Sequence, residues 1–384
     1  MEHKTVLILG GGVGGLVTAN NLRKSLGKEH RIIVIDQDRQ HRFAPSFLWL
    51  MTGLRKPEKI CRDLNSLSKK GIEFVEGKIA QFDAKSKTVE VNGRQFSGDY
   101  VVVSLGANLV PDSVPGLETT GHNFYTMEGA EGLRDALRNF KSGDLVVLIT
   151  SIPYKCPAAP YEAAMLLEYD CRKRKIRDDV NISLYAAEPG PMGVAGKELS
   201  AAVRKMVEDK GIHFYPEHHL ESVGTKEKML HFSNGTEAHF DFLAYVPKHE
   251  VPEVVREAGL VGESGWVKVD RNSMETKFSG VFSIGDVTGI PLALGKPLPK
   301  AGVFAHYQAE VVAHNIAVDI TGKGKTKQFS GAGECFVEIG DGKAGFARGN
   351  FYAEPLPQVK MYRPGRYWHA GKVLFEKDWL RRWF

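Results

Sequence analysis

The residues best suited to chemistry lie in a loop near the middle of the chain, directly after an apolar strand. The strand is predicted over residues 144–150, and the loop that follows it reads Ser151-Ile-Pro-Tyr-Lys-Cys156. A dinucleotide-binding unit would carry G-x-G-x-x-G at this turn, because glycines let the backbone approach a pyrophosphate. The turn contains no glycine. We therefore predict that no pyrophosphate binds there and that the site serves sulfur chemistry at Cys156.

Two sequence neighbours of Cys156 favour a reactive thiolate. Lys155 precedes it, and a helix is predicted to begin at about Pro160, so the thiol lies just before a helix N-terminus. A nearby cation and a helix N-terminus both stabilise a thiolate and lower the thiol pKa. Glu162 falls in the first turn of the same helix and is a candidate proton acceptor. A simple helix-start acid, favourable to the helix dipole, is an equally good interpretation of Glu162.

The other three cysteines are widely spaced. Cys171 lies on the apolar face of the predicted helix and is expected in the core, and Cys61 is interpreted in the same way. Cys335 lies in the glycine-rich segment 331–345, where the sequence alone leaves it as an ordinary strand cysteine or a functional one. The spacing provides neither a C-x-x-C metal knuckle nor a dense disulfide framework, so no metal site is predicted.

The start of the chain carries a dinucleotide fingerprint in its full structural context. An apolar strand at residues 5–9 is followed by a glycine-rich turn, a helical pattern and a second strand that ends at an acid about twenty residues on. The acid is placed to accept hydrogen bonds from ribose hydroxyls. The predicted cofactor-binding residues of this unit are Gly10, Gly12, Gly14, Gly15 and Asp36.

Two later segments identify which dinucleotide this unit takes. Residues 99–107 form a strand that ends in a small-residue turn at Gly106, and residues 280–286 form another that ends in Gly285-Asp286. Both resemble segments of the flavoproteins that contain two dinucleotide domains, in which the Gly-Asp pair meets the ribityl and pyrophosphate region of FAD. The resemblance implies FAD as the cofactor. Taken alone, Asp286 could equally cap a helix.

The order of the elements predicts an α/β fold with two Rossmann-like domains in tandem, the second without a functional dinucleotide turn, plus a C-terminal membrane-associating region. The FAD-binding domain is expected over residues 1–108 and is completed by residues 265–330. The second domain covers residues 109–264 and has Glu188 near the expected acidic position. The C-terminal region covers residues 331–384. Asn92-Gly93 and Asn234-Gly235 predict hairpin turns.

Composition bounds the partners. The 384-residue chain has a net charge of +5, far from the profile of a nucleic-acid-binding protein. No run of about 20 apolar residues could span a bilayer, and the first strand follows Met1-Glu-His-Lys at once, so we expect no cleavable signal peptide. The sequence leaves the oligomeric state open, including a homo-oligomer.

The C-terminal tail has an aromatic helical face flanked by basic residues, which is typical of an interfacial membrane anchor. The alternative is that this short aromatic terminus docks on its own domain. The predicted anchor residues are Trp379, Leu380, Trp383 and Phe384. The expected location is therefore peripheral (monotopic) on the cytoplasmic membrane, with the membrane face undetermined.

Taken together, the FAD fingerprint, the K-C-P-A-A-P-Y-E segment and the G-E-C-F-V-E-I-G-D-G-K-A-G segment resemble sulfide:quinone oxidoreductases over nearly the whole chain. They are also similar to the flavin subunit of flavocytochrome c sulfide dehydrogenase. The resemblance implies that Cys156 and Cys335 pair across a sulfide pocket, as a disulfide or trisulfide that sulfide attacks. It also implies that Cys335 adds to the flavin C4a position and that two electrons pass through FAD to a membrane quinone.

The resemblance implies further residues. Lys300, in Leu298-Pro-Lys-Ala-Gly302, corresponds to a lysine that approaches the N1/O2 edge of the flavin, where a cation could stabilise the reduced form. Some family members carry a third cysteine upstream, but residues 120–130 contain none, which favours a two-cysteine mechanism. His122 in that segment is a weak candidate for proton handling. Aromatic candidates for the quinone pocket are Phe304, Tyr307 and Phe346.

Three other functions compete with this one. A type II NADH:quinone dehydrogenase shares the scaffold, but the missing second fingerprint opposes it. A sulfide:cytochrome c flavin subunit would need an export signal and a haem partner, and neither a signal nor C-x-x-C-H is seen in the sequence. A non-enzymatic flavin-bound redox sensor would turn over sulfide and quinone slowly and would not depend on Cys156.

Overall fold

Residues 3–384 are described by a computed structural model whose first sheet is parallel and has five strands. Its central strands are continuous apolar runs buried on both faces, as is usual for parallel sheets covered by helices. The predicted α/β class is confirmed. The strand Val281–Ser283, from the predicted segment 280–286, lies at one edge of the sheet beside Tyr100–Val103. In spatial order the strands are Val281–Ser283, Tyr100–Val103, Thr5–Leu9, Arg31–Asp36 and Glu73–Glu76.

The second sheet repeats this arrangement. Its central strand, Gly143–Ile149, pairs in parallel with strands on both sides, and its side chains from Leu145 onward are buried. The loop of Cys156 therefore starts at the carboxyl end of a central parallel strand, the edge at which ligands bind in such sheets. In spatial order the strands are His122–Asn123, Phe242–Val246, Gly143–Ile149, Val180–Ala186 and Ile212–Tyr215.

Helices cover the sheets. The helix that follows the first strand begins at Val13, and the helix that follows the Cys156 loop covers Ala159–Lys173. The helices are Val13–Ser25, Phe47–Met51, Leu117–Thr120, Met127–Asn139, Ala159–Lys173, Lys197–Glu208, Glu253–Glu257, Gly302–Thr321 and Arg366–Arg382.

Short antiparallel sheets fill the connections. The hairpin predicted at Asn92-Gly93 is confirmed, and both residues have positive φ (52° and 70°), as a two-residue primed turn requires. The hairpin predicted at Asn234-Gly235 also forms. The strands of these sheets are Ile79–Asp83, Thr88–Val91 and Arg94–Ser97; Leu220–Gly224, Met229–Phe232 and Glu237–His239; Gln40–Arg42 and Cys61–Asp63; and Asn108–Val110 and Lys248–Glu250.

The C-terminal region is a three-stranded antiparallel sheet followed by one helix, Arg366–Arg382, which we call the C-terminal helix. The first strand carries Cys335 and packs against the helix of the Cys156 loop, while the C-terminal helix packs mainly on the second strand. This sheet therefore brings the second cysteine to the first. The strands are Ala332–Gly340, Lys343–Asn350 and Gln358–Gly365.

The predicted membrane anchor at the end of this helix is wrong. Trp379, Leu380 and Trp383 are only 3–4% exposed and pack against the first domain, and Phe384 is half-buried. The Trp379 indole N–H donates to Nε2 of His41 at 3.1 Å. The helix has an aromatic face because that face packs into the protein core. This was the alternative interpretation, in which the terminus docks on its own domain. Among residues 3–384, no helix combines the length and apolar character needed to cross a bilayer.

Candidate active site

The structure brings Cys156 and Cys335 to the same cavity. The cavity has a volume of about 380 Å³, and its walls are predominantly apolar. All four cysteines are free thiols, and Cys156 and Cys335 are both half-buried. The two thiols are close enough to influence each other electrostatically. Other residues that line the cavity include Met192, Leu199, Lys296, Phe304, Glu334 and Phe351.

The Cys156 loop is held by backbone contacts. The Cys156 N–H donates to the Lys300 carbonyl at 2.6 Å, and its carbonyl accepts from the Ala159 N–H at 2.9 Å. Cys156 has φ of 53°, in the left-handed region that non-glycine residues rarely adopt. Such strain persists where the surroundings over-determine it, and it concentrates at functional sites. The thiol is thus fixed by the fold rather than left on a mobile loop.

Strand geometry positions Cys335. It pairs with Ala347 across the C-terminal sheet, and both residues line the cavity, while the next pair, Phe336 and Phe346, lies on the opposite face. Gly333, two residues before Cys335, lies against the Phe304 ring, and a Cβ there would come within 2.4 Å of that ring. A larger residue at position 333 would therefore push Phe304 out of the cavity wall.

A buried ion pair lies beside the two thiols. Lys372 on the C-terminal helix donates to Glu162 Oε1 at 2.9 Å, and the Glu338 backbone N–H donates to the same oxygen at 2.7 Å. Glu162 is 2% exposed and Lys372 is 6% exposed. Burial alone would lower the pKa of Lys372, but the carboxylates of Glu162 and Glu338 together raise it above the usual value. Lys372 is therefore held as an ammonium ion.

Sequence reasoning missed Lys372 because it treated the tail as a membrane anchor. A signal was present: the inward face of the C-terminal helix follows residues 372, 376, 379, 380 and 383, so the aromatic stripe continues upstream through a lysine and a glutamate. Charged residues on a buried stripe are expected only where they find partners. The Glu376 carboxylate accepts hydrogen bonds from the Ser46 hydroxyl at 2.5 Å and from Arg55 Nε at 2.9 Å.

The expectation of a lowered Cys156 pKa is wrong. Burial raises the pKa of Cys156 to about 12, and the Glu162 carboxylate raises it further, whereas Lys372 and the Ala159 N–H oppose the shift. Burial also raises the pKa of Cys335 well above its usual value. Burial lowers the pKa of the Lys155 ammonium, and Lys155 interacts with Asp286 more strongly than with Cys156. Loss of water outweighs the helix N-terminus in this loop.

The first glycine turn has the form of a dinucleotide cradle. A Cβ at Gly15 would lie 1.8 Å from the Gly10 carbonyl oxygen, so the helix packs directly on the turn. At Gly12 a Cβ would meet no atom within 4 Å, which leaves open the position where a pyrophosphate approaches. Asp36 accepts from the Gly11 N–H at 2.6 Å and is half-buried at the end of its strand. These residues fit FAD.

A polar cluster follows at the Gly285-Asp286 turn. The Oδ1 atom of Asp286 is buried and has no hydrogen-bond partner among residues 3–384, as expected for an atom that binds a ligand hydroxyl. Lys300 is 5% exposed, and its ammonium donates to the carbonyls of Asp286 at 2.7 Å and Thr288 at 3.0 Å. Burial lowers the pKa of Lys300 to about 7. Gly106 has φ of 67° and leaves open space at its turn.

The carboxylate at the acidic position of the second domain is bound by side chains of the same domain. Glu188 accepts hydrogen bonds from the hydroxyls of Tyr154 at 2.5 Å and Tyr161 at 2.6 Å. Burial raises the pKa of this carboxyl. Both tyrosines belong to the glycine-free turn and the helix after it. A ribose would have to displace two buried tyrosine hydroxyls, so the structure opposes a second dinucleotide here.

Comparisons with known proteins show the family to which this chain belongs. The pyridine nucleotide-disulphide oxidoreductase family model matches residues 4–309. The sulfide-quinone reductase of Aquifex aeolicus is 31% identical over 398 residues, covering 98% of this chain and 90% of that protein. This chain belongs to the sulfide:quinone oxidoreductase family. The mouse mitochondrial sulfide:quinone oxidoreductase is 23% identical over 369 residues, covering 92% of this chain and 80% of that protein. The solved Aquifex aeolicus structure has a TM-score of 0.90 at 29% identity, covering 99% of this chain and 91% of that chain.

The three residues predicted for a quinone pocket do not meet in one place. Phe304 is 3% exposed and lines the cysteine cavity. The Tyr307 hydroxyl donates to Glu334 at 3.3 Å. Phe346 lies on the opposite face of the C-terminal sheet, stacked on Trp368 with ring centroids 4.3 Å apart. Alternation along the strand separates Phe346 from the cavity, so a single pocket built from all three is wrong.

Three weaker candidates have ordinary structural roles. Cys171 is fully buried in the core, as predicted. Cys61 is half-buried with its sulfur 3.5 Å from the Met127 sulfur. His122 is half-buried against Phe242, and burial lowers its pKa. None of them is among the residues that line the cysteine cavity.

Proposed function

We propose that this chain is an FAD-dependent sulfide:quinone oxidoreductase that oxidises sulfide at Cys156 and Cys335. The observation that carries the proposal is the placement of both thiols on one cavity beside the buried Glu162–Lys372 pair, in a chain of this family. FAD, when bound in the first domain, accepts the electron pair and passes it to quinone. The remaining steps belong to the protein's own residues.

The cavity suits an oxidised resting pair. Burial holds both thiols far from ionisation, whereas a disulfide or trisulfide between them carries no charge and loses little on burial. Hydrosulfide then attacks one sulfur of the bridge. The S–S bond breaks, a new S–S bond forms as a persulfide on one cysteine, and the other cysteine leaves as a thiolate. The charge of Lys372 acts to lower the pKa of both thiols, so Lys372 stabilises that thiolate.

Glu162 is a fixed acceptor for the proton of sulfide. Two hydrogen bonds hold its Oε1, one from the Lys372 ammonium and one from the Glu338 backbone. Both thiols lie within its electrostatic influence. An acceptor held in this way needs no reorganisation when the S–H bond breaks.

For the quinone, we propose the aromatic face of the C-terminal sheet, opposite the cysteines. Phe336 follows Cys335 directly and points away from the cavity, 5.1 Å from the Phe346 centroid and 6.5 Å from the Phe375 centroid. Phe375 is 43% exposed and so opens this face to the outside. Sulfide and quinone would then approach from opposite sides of one strand. We expect Phe375→Ala to raise the quinone KM while sulfide-driven flavin reduction keeps its rate.

We also propose that the outer face of the C-terminal helix contacts the membrane. The residues of this face include Tyr367 and Leu374, which are 61% and 65% exposed, and exposed Arg366, Lys377 and Arg381 surround them. Apolar side chains ringed by cations are typical of helices that lie on an anionic bilayer. The location that follows is peripheral to the membrane.

Flotation with anionic vesicles tests this contact. Leu374→Gln with Tyr367→Ser should release the protein from the vesicles. Tyr215→Ser, at an aromatic residue of the second sheet that is 38% exposed, is the control and should leave binding intact. Equal vesicle binding by all variants would refute the assignment of this face.

The function itself is tested by anaerobic titration of the FAD-loaded protein with sulfide, followed by decylubiquinone. We expect sulfide to bleach the flavin absorbance and quinone to restore it, while NADH leaves it unchanged. Rapid bleaching by NADH would favour a type II NADH dehydrogenase instead. Turnover with cytochrome c in place of quinone would favour the sulfide:cytochrome c alternative, and slow turnover with both acceptors would favour a redox sensor.

A further inference from the structure

A chain of buried ionisable groups leads from the cysteine cavity to the protein surface. It begins at the Glu162–Lys372 pair. The Glu338 carboxylate comes next, within the electrostatic influence of both Lys372 and Glu162 rather than hydrogen-bonded to them. The chain ends at His369, whose Nδ1 lies 3.0 Å from both Glu338 oxygens. Glu338 is 1% exposed, whereas the His369 side chain is 31% exposed. Lys372 and His369 belong to the C-terminal helix, Glu338 belongs to the strand that carries Cys335, and Glu162 belongs to the helix after the Cys156 loop.

The reaction proposed above needs such a chain. Oxidation of H₂S to the level of elemental sulfur breaks two S–H bonds and yields two protons and two electrons. The electrons pass to the flavin, but a proton left in a predominantly apolar cavity would oppose the next attack by sulfide. A proton acceptor buried beside the thiols is therefore useful only if it can discharge to solvent.

We propose that Glu338 and His369 form a proton exit that takes protons from the Glu162–Lys372 pair and releases them to water at His369. This inference rests on the proposed function. Each transfer moves one proton along the chain: the S–H bond breaks at Glu162, and an N–H bond of His369 breaks at the surface. His369 and Glu338 act through Glu162, so they are positioning residues and do not touch the substrate.

The surroundings of the chain support transfer rather than a static ion pair. Burial raises the pKa of Glu338, with Lys372 and His369 acting against it, so this carboxyl is shifted toward neutrality, where it can both take and give a proton. The Trp49 ring packs edge-on against His369 and also faces the cations of Lys372 and Arg55. Arg55 is engaged by Glu376, which leaves His369 as the partner of Glu338.

The test follows flavin absorbance and a pH indicator together in weakly buffered solution, when the oxidised, FAD-loaded protein is mixed anaerobically with sulfide. In His369→Gln and Glu338→Gln we expect proton release to slow by roughly tenfold or more. Added imidazole should restore the rate in His369→Ala. Rescue by imidazole is a change that a merely structural role of His369 would not produce.

His231→Gln is the matched control, because His231 Nδ1 also lies 3.0 Å from a carboxylate, that of Glu237, but on the small exposed sheet of the second domain. It should behave as the parent protein. Proton release that keeps pace with flavin reduction in both Gln variants would overturn the exit while leaving the proposed function intact. Failure of sulfide to bleach the parent protein would overturn both. If His369→Gln does not retain FAD, the rate of proton release in Glu338→Gln decides whether the proton exit exists.

Discussion

The two Rossmann-like sheets share one strand arrangement but differ at the turn after the central strand. In the first domain the turn is Gly10–Gly15, with open space at Gly12, and Asp36 bonds to the turn backbone. In the second domain the turn ends at Cys156, and Glu188 at the corresponding acidic position bonds to two tyrosines of its own domain.

This difference teaches how a scaffold changes its ligand without changing its topology. The edge formed by the carboxyl ends of the strands remains the ligand edge in both domains. Glycines and a carboxylate held by backbone N–H groups leave that edge to a dinucleotide. A tyrosine-filled acidic position closes the nucleotide space and leaves a cavity next to a thiol. The C-terminal helix packs on the first domain through partners such as His41 and Asn20, and it contacts the second domain through the Lys372–Glu162 ion pair.

The largest effect is expected at the second turn. In Cys156→Ser the bridge to Cys335 cannot form, so sulfide-driven flavin bleaching should fall by roughly a thousandfold or more, while FAD remains bound in the first domain. Stopped-flow absorbance measures this. Cys61→Ser, which removes a half-buried thiol that does not line the cavity, should bleach at the parent rate. Bleaching of Cys156→Ser near that rate would contradict the division of roles between the two turns.

The second effect sharpens the account of this turn. Because burial raises the pKa of Cys156 to about 12, its thiolate fraction should grow about tenfold per pH unit. In the reduced Cys335→Ser variant, alkylation of Cys156 by iodoacetamide should therefore accelerate about 100-fold between pH 7 and pH 9 without levelling off. Mass spectrometry of the labelled peptide follows the rate. A plateau near neutral pH would restore the helix N-terminus as the dominant influence.

The third effect concerns the covering of the first domain. Burial lowers the pKa of His41 to about 4 from an ordinary value near 6.5, so the folded state keeps His41 neutral while the unfolded chain protonates it. The contribution of His41 to the free energy of unfolding is complete above pH 6.5. It falls as the pH drops toward 4, and the loss is on the order of 2 kcal/mol at pH 5.

Thermal unfolding monitored by Trp fluorescence from pH 7 to pH 4.5 measures this loss. His41→Gln keeps an acceptor for the Trp379 indole N–H but cannot titrate, so its stability should depend less on pH in that range. Parallel pH curves for the parent and His41→Gln would show that the contact with the C-terminal helix does not depend on a neutral histidine.

The smallest effect compares the two acids directly. Asp36→Asn should weaken FAD binding by about tenfold, because it removes the charge that strengthens hydrogen bonds at the first turn. Glu188→Gln should leave FAD affinity unchanged, because its partners are Tyr154 and Tyr161. Fluorescence titration of apoprotein with FAD gives both constants. An equal loss in the two variants would remove the distinction between the acids.

Local patterns predicted much of this molecule. The glycine turn, its helix and the acid lie within residues 5–36, and the two Asn-Gly hairpins need only a few neighbouring residues, so both are visible in the chain. The prediction that the aromatic face of the tail contacts the membrane is wrong for a physical reason. An aromatic helical face looks the same whether it meets lipid or a protein core, and only the partners, here His41 and the first domain, distinguish the two.

By itself, the sequence determined the α/β class, the cradle at Gly10–Gly15 and the thiol at a glycine-free turn, because each depends on residues close together in the chain. Only the tertiary structure decided that Lys372 pairs with Glu162, 210 positions away, and that Cys156 is a poor acid. Water exclusion at a thiol is the sum of every element packed around it. Its helix start and its neighbouring lysine were visible in the sequence, but the desolvation that outweighs them was not.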